Sequence, residues 1–196
     1  MKPLLRRSWP GFAMAALLAH GAAAQEAAQE VASAAAPASA TAAFGHCVIV
    51  FSSGRNTGSE EAMRDWNVRN EQLGRAITAR LEEAGWSAEP FFVPIGNTPG
   101  AAVQQMLGRA ASRGCRRIVD AAVFEDTNAA VLVVRARLHP LLGLAGPRVS
   151  TSLPEVGDAL YDSRQEFDRD SLARLTPARL TALGRTLAEG MLEKID

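Results

Sequence analysis

Cysteine and histidine are scarce in this chain, with two of the first and three of the second among 196 residues. No H-x-x-x-H, C-x-x-C or G-x-S-x-G spacing occurs, so the common zinc sites and the hydrolase nucleophile elbow have no counterpart here. An excess of charge is missing too. The 21 Lys and Arg balance 21 Asp and Glu, which is not the basic footprint that nucleic acid requires. No apolar run reaches the roughly 20 residues of a transmembrane helix. Neither a cofactor nor a metal is expected on these grounds.

What is present starts with an export signal. Lys2, Arg6 and Arg7 form a basic start, Phe12 to Ala19 a short apolar run, and Ala22 to Ala24 a small-residue cleavage site. Residues 1–24 therefore read as a cleaved signal peptide. No cysteine follows the small residues directly, and Cys47 lies more than twenty positions on. A lipid anchor is not expected, and the mature chain should have no stable membrane attachment. Removing the signal takes three basic and no acidic residues, leaving 18 basic against 21 acidic and a formal charge of −3. The arginine- and alanine-rich composition suggests a bacterial source and hence the periplasm.

Residues 25–43, "QEAAQEVASAAAPASATAA", hold little larger than alanine to bury. Such a segment cannot offset its ordering entropy and reads as a disordered tether. Residues 44–196 have the usual length of one domain. Within them the period alternates. His46 to Phe51 reads as a buried strand, and Trp66, Leu73, Ile77 and Leu81 recur at helical spacing up to Gly85. Ser87 to Ile95 reads as a strand that Pro90 and Pro94 place at a sheet edge. A helix from Pro99, with Thr98 as N-cap and Gly114 at its end, buries Val103, Met106, Leu107 and Ala110. Arg116 to Asp126 and Ala129 to His139 form a hairpin about Asp126-Thr127-Asn128. A strand over Asp158 to Asp168 follows, then a helix capped by Thr176 and Pro177, with Leu180, Leu183, Leu187, Met191 and Ile195 on one side. The order β-α-β-α-β-β-β-α predicts a single α/β domain, helices packed on a mixed sheet.

Four places invite chemistry. "SSGRNTGSEE", Ser52 to Glu61, resembles a phosphate loop at first sight. Only three residues separate Gly54 from Gly58 and no lysine follows, so it is not a Walker loop. Thr57 and Glu60 have capping-box spacing; a weak anion site at Arg55, Thr57 and Ser59 is the alternative. Cys47 starts the first strand and Cys115 precedes the third. With right-handed crossovers and strand order 2-1-3 those starts are neighbours, within disulfide reach. The alternative is two buried thiols. Asp162, Glu166, Asp168 and Asp170 cluster at one strand end, but Arg164 and Arg169 interleave and favour salt bridging over catalysis or calcium. Last, Pro140 to Gly157 is rich in proline and glycine and is expected to be neither helix nor regular strand. Its leucines Leu141, Leu142 and Leu144 either cover the sheet or form an apolar patch for a partner.

"GCRRIVDAAVFED", "AAVLVVRARL", "DALYDSRQEF" and "LTALGRTLAEGMLEKI" succeed one another as strand, strand, strand and amphipathic helix. This order resembles the small α/β domain of the TolB N-terminal region and of the LpoB-type activators of penicillin-binding proteins. The resemblance implies a non-enzymatic protein-binding adaptor, and an envelope or membrane protein as its partner. It departs in lacking the activators' anchoring cysteine, and no partner-binding residue carries over. The expectation from sequence is thus an exported, soluble, periplasmic adaptor. The alternative is a periplasmic hydrolase of envelope material using Glu166 and Asp168 or a group near Ser52.

Overall fold

The computed structural model describes residues 46–54, 59–144 and 153–195. The expected tether and signal, together with Arg55 and Thr57, lie outside them. The elements are β1 (Cys47–Ser53), α1 (Glu60–Glu83), β2 (Ser87–Val93), α2 (Pro99–Arg113), β3 (Arg117–Asp126), β4 (Val131–Leu142), β5 (Glu155–Val156), β6 (Tyr161–Asp168) and α3 (Pro177–Leu192). A 3₁₀ turn over Arg169–Arg174 joins the last two. No helix among the described residues is long and apolar enough to cross a membrane.

The strands form one mixed sheet in the order β2-β1-β3-β4, with β6 beside β4 over most of its length and β5 beside its last two residues. β1 runs parallel to both β2 and β3, and β3-β4-β6 is antiparallel. This is an α/β fold with the 2-1-3 order expected from right-handed crossovers. The proline-bearing strand lies at the margin, because Pro90 cannot donate to a second neighbour.

Side-chain alternation explains the layers. Val48 and Val50 of β1 face one core with Val119, Ala121 and Val123 of β3 and Leu132, Val134, Ala136 and Leu138 of β4. Over this side lie α1, through Trp66, Leu73, Ile77 and Leu81, and α3, through Leu180, Leu187 and Met191. Ile49 and Phe51 face the opposite way, into a smaller core closed by Ala102, Met106, Leu107 and Ala110 of α2. The expected contribution of Val103 is corrected: it is 38% exposed and Ala102 is buried instead. The two main helices cross closely at Gly184, where a Cβ would come 2.7 Å from that of Ala76.

Several boundaries differ from expectation. The N-cap of α1 is Ser59, whose hydroxyl accepts from the Ala62 N–H at 3.3 Å. Glu60 is then the first helical residue, so the Thr57–Glu60 capping box is not the one used. The hairpin forms as expected but its turn is longer, running over residues 127–130 before β4 starts at Val131. The Asp126 carboxylate accepts from the N–H groups of Asn128 and Ala129, both at 3.2 Å. The segment after it is more regular than expected. β4 continues through Pro140 to Leu142, and Glu155 and Val156 pair with its end. Pro140 is tolerated because its nitrogen faces away from β3, into the gap between β6, which pairs as far as Leu138, and β5, which starts opposite Leu142 and Leu141. The ladder to β3 is carried instead by the Leu141 N–H, which donates to the Arg116 carbonyl at 2.8 Å.

Candidate interaction surface

The Cys47–Cys115 disulfide is present, with Cα atoms 4.5 Å apart. It ties the start of β1 to the loop from α2 into β3, 68 positions on. Closing a loop of that size contributes roughly 4 kcal/mol in the chain-entropy picture. In the larger core, on the other face of the sheet, Trp86 is buried under the Arg117 guanidinium at 4.8 Å and the His46 ring at 4.9 Å.

At the opposite end of the parallel strands, α1 supplies two amide side chains. β3 extends past its last pairing with β1, at Ala121, so Val123 needs another partner. Asn70 provides it, accepting from the Val123 N–H at 2.7 Å and donating to its carbonyl at 3.0 Å. The same Nδ2 donates to the Trp66 carbonyl at 2.8 Å. Asn67 accepts from the Ile95 N–H just after β2, at 2.9 Å. These side chains close the strand ends where ligands of α/β sheets commonly bind. Asn70 escaped the sequence reading, although it stands at helical spacing between Trp66 and Leu73. A polar residue on an apolar stripe was the available signal. Of the weak anion site only Ser59 lies among the described residues, and its hydroxyl is committed to the cap.

The other face of β3, β4 and β6 carries charge. Arg137 pairs with Asp120, Arg135 with Asp162 at 2.9 Å, and Arg164 with Asp126 at 3.0 Å and with Glu166 at 2.6 Å. Asp162 and Glu166, two of the clustered carboxylates, are thus held by arginine, and Arg169 reaches Glu125 at 2.7 Å. The Arg164 guanidinium, then the Ala129 amide, hold the Asp126 carboxyl below its ordinary range. The carboxylates Glu166 and Asp126 in turn push Arg164 upward. Among the described residues no three His, Cys, Asp or Glu come together as a metal site.

The leucine patch is redrawn. Leu141 is buried in the smaller core, on the same side of the sheet as Ile118, and Leu144 packs partly buried against that core. The strand pairing decides this, since odd-numbered residues of β4 face that side at its end. Leu142, next in the strand, is 51% exposed. Leu153, Val156 and Leu160 are exposed as well. Leu142 ends β4, Val156 sits in the strand paired with it, and the Leu160 N–H donates to the Leu138 carbonyl at 2.8 Å. Four of the six exposed large apolar side chains among the described residues thus lie near one end of β4, Leu142 on one face of the sheet and Val156, opposite Leu141, on the other.

No family model matches this chain, and no curated protein matches it. Among solved structures, a PelC dodecamer from Paraburkholderia phytofirmans is 16% identical, with 74% of this chain and 87% of that one covered and a TM-score of 0.33. A formyltetrahydrofolate deformylase from Burkholderia mallei is 12% identical, with 78% and 65% covered and a TM-score of 0.26. Neither likeness is close enough to carry an argument about fold or activity.

Proposed function

We propose that the protein is an exported, non-enzymatic component of the cell envelope that acts as an adaptor for an envelope or membrane protein. The observation that carries this reading is the apolar group at the end of β4. Leu142, Leu153, Val156 and Leu160 stay in water while Leu141 beside them is buried. Scattered apolar side chains need no explanation, but four around one strand end, with Leu142 on one face of the sheet and Val156 on the other, give a partner apolar contacts on both sides of that margin. The disulfide supports an oxidising compartment, since such bridges persist outside the cytosol. The sequence resemblance to envelope adaptors points the same way.

The test compares two baits in capture from envelope extract: wild type, and the triple variant Leu142→Ser, Val156→Ser, Leu160→Ser. All three side chains are exposed, so the melting temperature should move by only a few degrees. Loss of one specific captured protein by the variant supports the reading. Equal capture by both, or turnover of a peptidoglycan or ester substrate by the purified protein, reverses it.

A further inference from the structure

The two margins of the sheet are built differently. β2 closes one side with Pro90, which lacks an N–H, and with Glu89 held by Arg109 at 2.5 Å and Arg113 at 3.0 Å. Prolines and committed charges are the usual means of keeping an edge from pairing with another chain. β6 closes the other side over eight residues, "YDSRQEFD", with neither proline nor glycine. Among the described residues it pairs with β4 alone, leaving its outer edge without a neighbouring strand.

Charge decides who fits there. Asp162, Arg164, Glu166 and Asp168 are the exposed residues of β6 and share one face. A run of one sign would repel a second copy, whereas this one alternates. Consider two copies meeting antiparallel about a two-fold axis through Gln165. Arg164 of each then stands opposite Glu166 of the other, giving two opposite-charge cross-strand pairs. Centring the axis on Arg164 instead opposes arginine to arginine and Asp162 to Glu166, so the sequence selects the first register. Only Asp162 against Asp168 is unfavourable there, and Asp162 is already neutralised by Arg135. The bonds of Arg164 within its own chain use Nε and Nη2, leaving Nη1 outside both.

We propose that a second copy of this chain docks on the outer edge of β6, in the register that pairs Arg164 with Glu166 across the two-fold axis. The two sheets then join into one, and the apolar groups at the two β4 ends belong to a single assembly. This interface is independent of the adaptor reading and stands or falls by its own measurement.

The test is sedimentation velocity of the purified protein across the micromolar range, with melting temperatures to confirm that each variant folds. Wild type should move from monomer to dimer as concentration rises. Arg164→Glu alone, and Glu166→Arg alone, should each weaken the dimer about tenfold, by setting like charges opposite one another. An equimolar mixture of the two variants should recover wild-type association, because each new carboxylate then faces a new guanidinium. If either variant melts early, Arg164→Gln and Glu166→Gln serve instead, each weakening the dimer less. A wild type that stays monomeric overturns the proposal. So does a dimer that none of the variants weakens, or a mixture of folded charge-reversal variants that fails to recover.

Discussion

β1 and β6 are strands of seven and eight residues in the same sheet, yet their surroundings have little in common. In β1 every residue from Cys47 to Ser52 is buried, with α1 over one face and α2 over the other. In β6 half-buried and exposed residues alternate along the whole strand, since only one face is covered. Coverage of both faces calls for an unbroken apolar run, and coverage of one calls for alternation. β1 is thereby committed to stability. The antiparallel half keeps a face and an edge on which substitutions are tolerated and contacts can form.

Core substitution should break this contrast most visibly. Ile49→Ala in β1 removes a fully buried side chain and should cost about 2–5 kcal/mol. Gln165→Ala in β6 should stay within about 0.5 kcal/mol. Urea unfolding of both variants measures the difference, and similar midpoints would mean that the halves are not distinct in this sense. An effect of comparable size is expected at the seam between them. Asn70→Ala leaves the Val123 N–H and carbonyl buried without their partner, at about 1–3 kcal/mol for each orphaned group. Asn67→Ala, which strands the single N–H of Ile95, should cost less in the same experiment.

The smallest effects belong to the charged face. Arg135→Gln should change stability by less than about 1 kcal/mol, because its ion pair with Asp162 is open to solvent. Asp126 adds a pH signature. Its carboxyl is held low in the folded chain by Arg164, so its contribution is present above the unfolded value of about 3.9 and is lost as pH falls through the folded one. Wild type and Asp126→Asn should therefore differ at neutral pH and converge in acid. A difference that persists at the lowest pH would trace to the turn geometry and not to charge.

Much of the architecture was legible because local signals agreed with one another. Pro90 and Pro94 marked an edge strand, Asp126-Thr127-Asn128 a hairpin, and Thr98-Pro99 with Gly114 a bounded helix. Even the disulfide followed, once the 2-1-3 order set two strand starts side by side. What stayed hidden depended on pairing between distant segments. Leu141 and Leu142 are equivalent in sequence, and only their place at the end of β4 buries one and exposes the other. Glu155 and Val156 are too short a strand to show any period. Asn70 was invisible as a sheet partner because its need arises from β1 ending before β3 does.

That last arrangement has a kinetic consequence. Val123 lies inside a central strand, yet its amide proton is held by a helix side chain. Its exchange with solvent deuterium is therefore gated by movement of α1 away from the sheet, whatever the strands do. The amides of β3 between Ile118 and Ala121, paired with β1 on one side and β4 on the other, exchange only when the sheet itself opens. Neighbouring positions on one strand would thus report two separate openings of the same molecule.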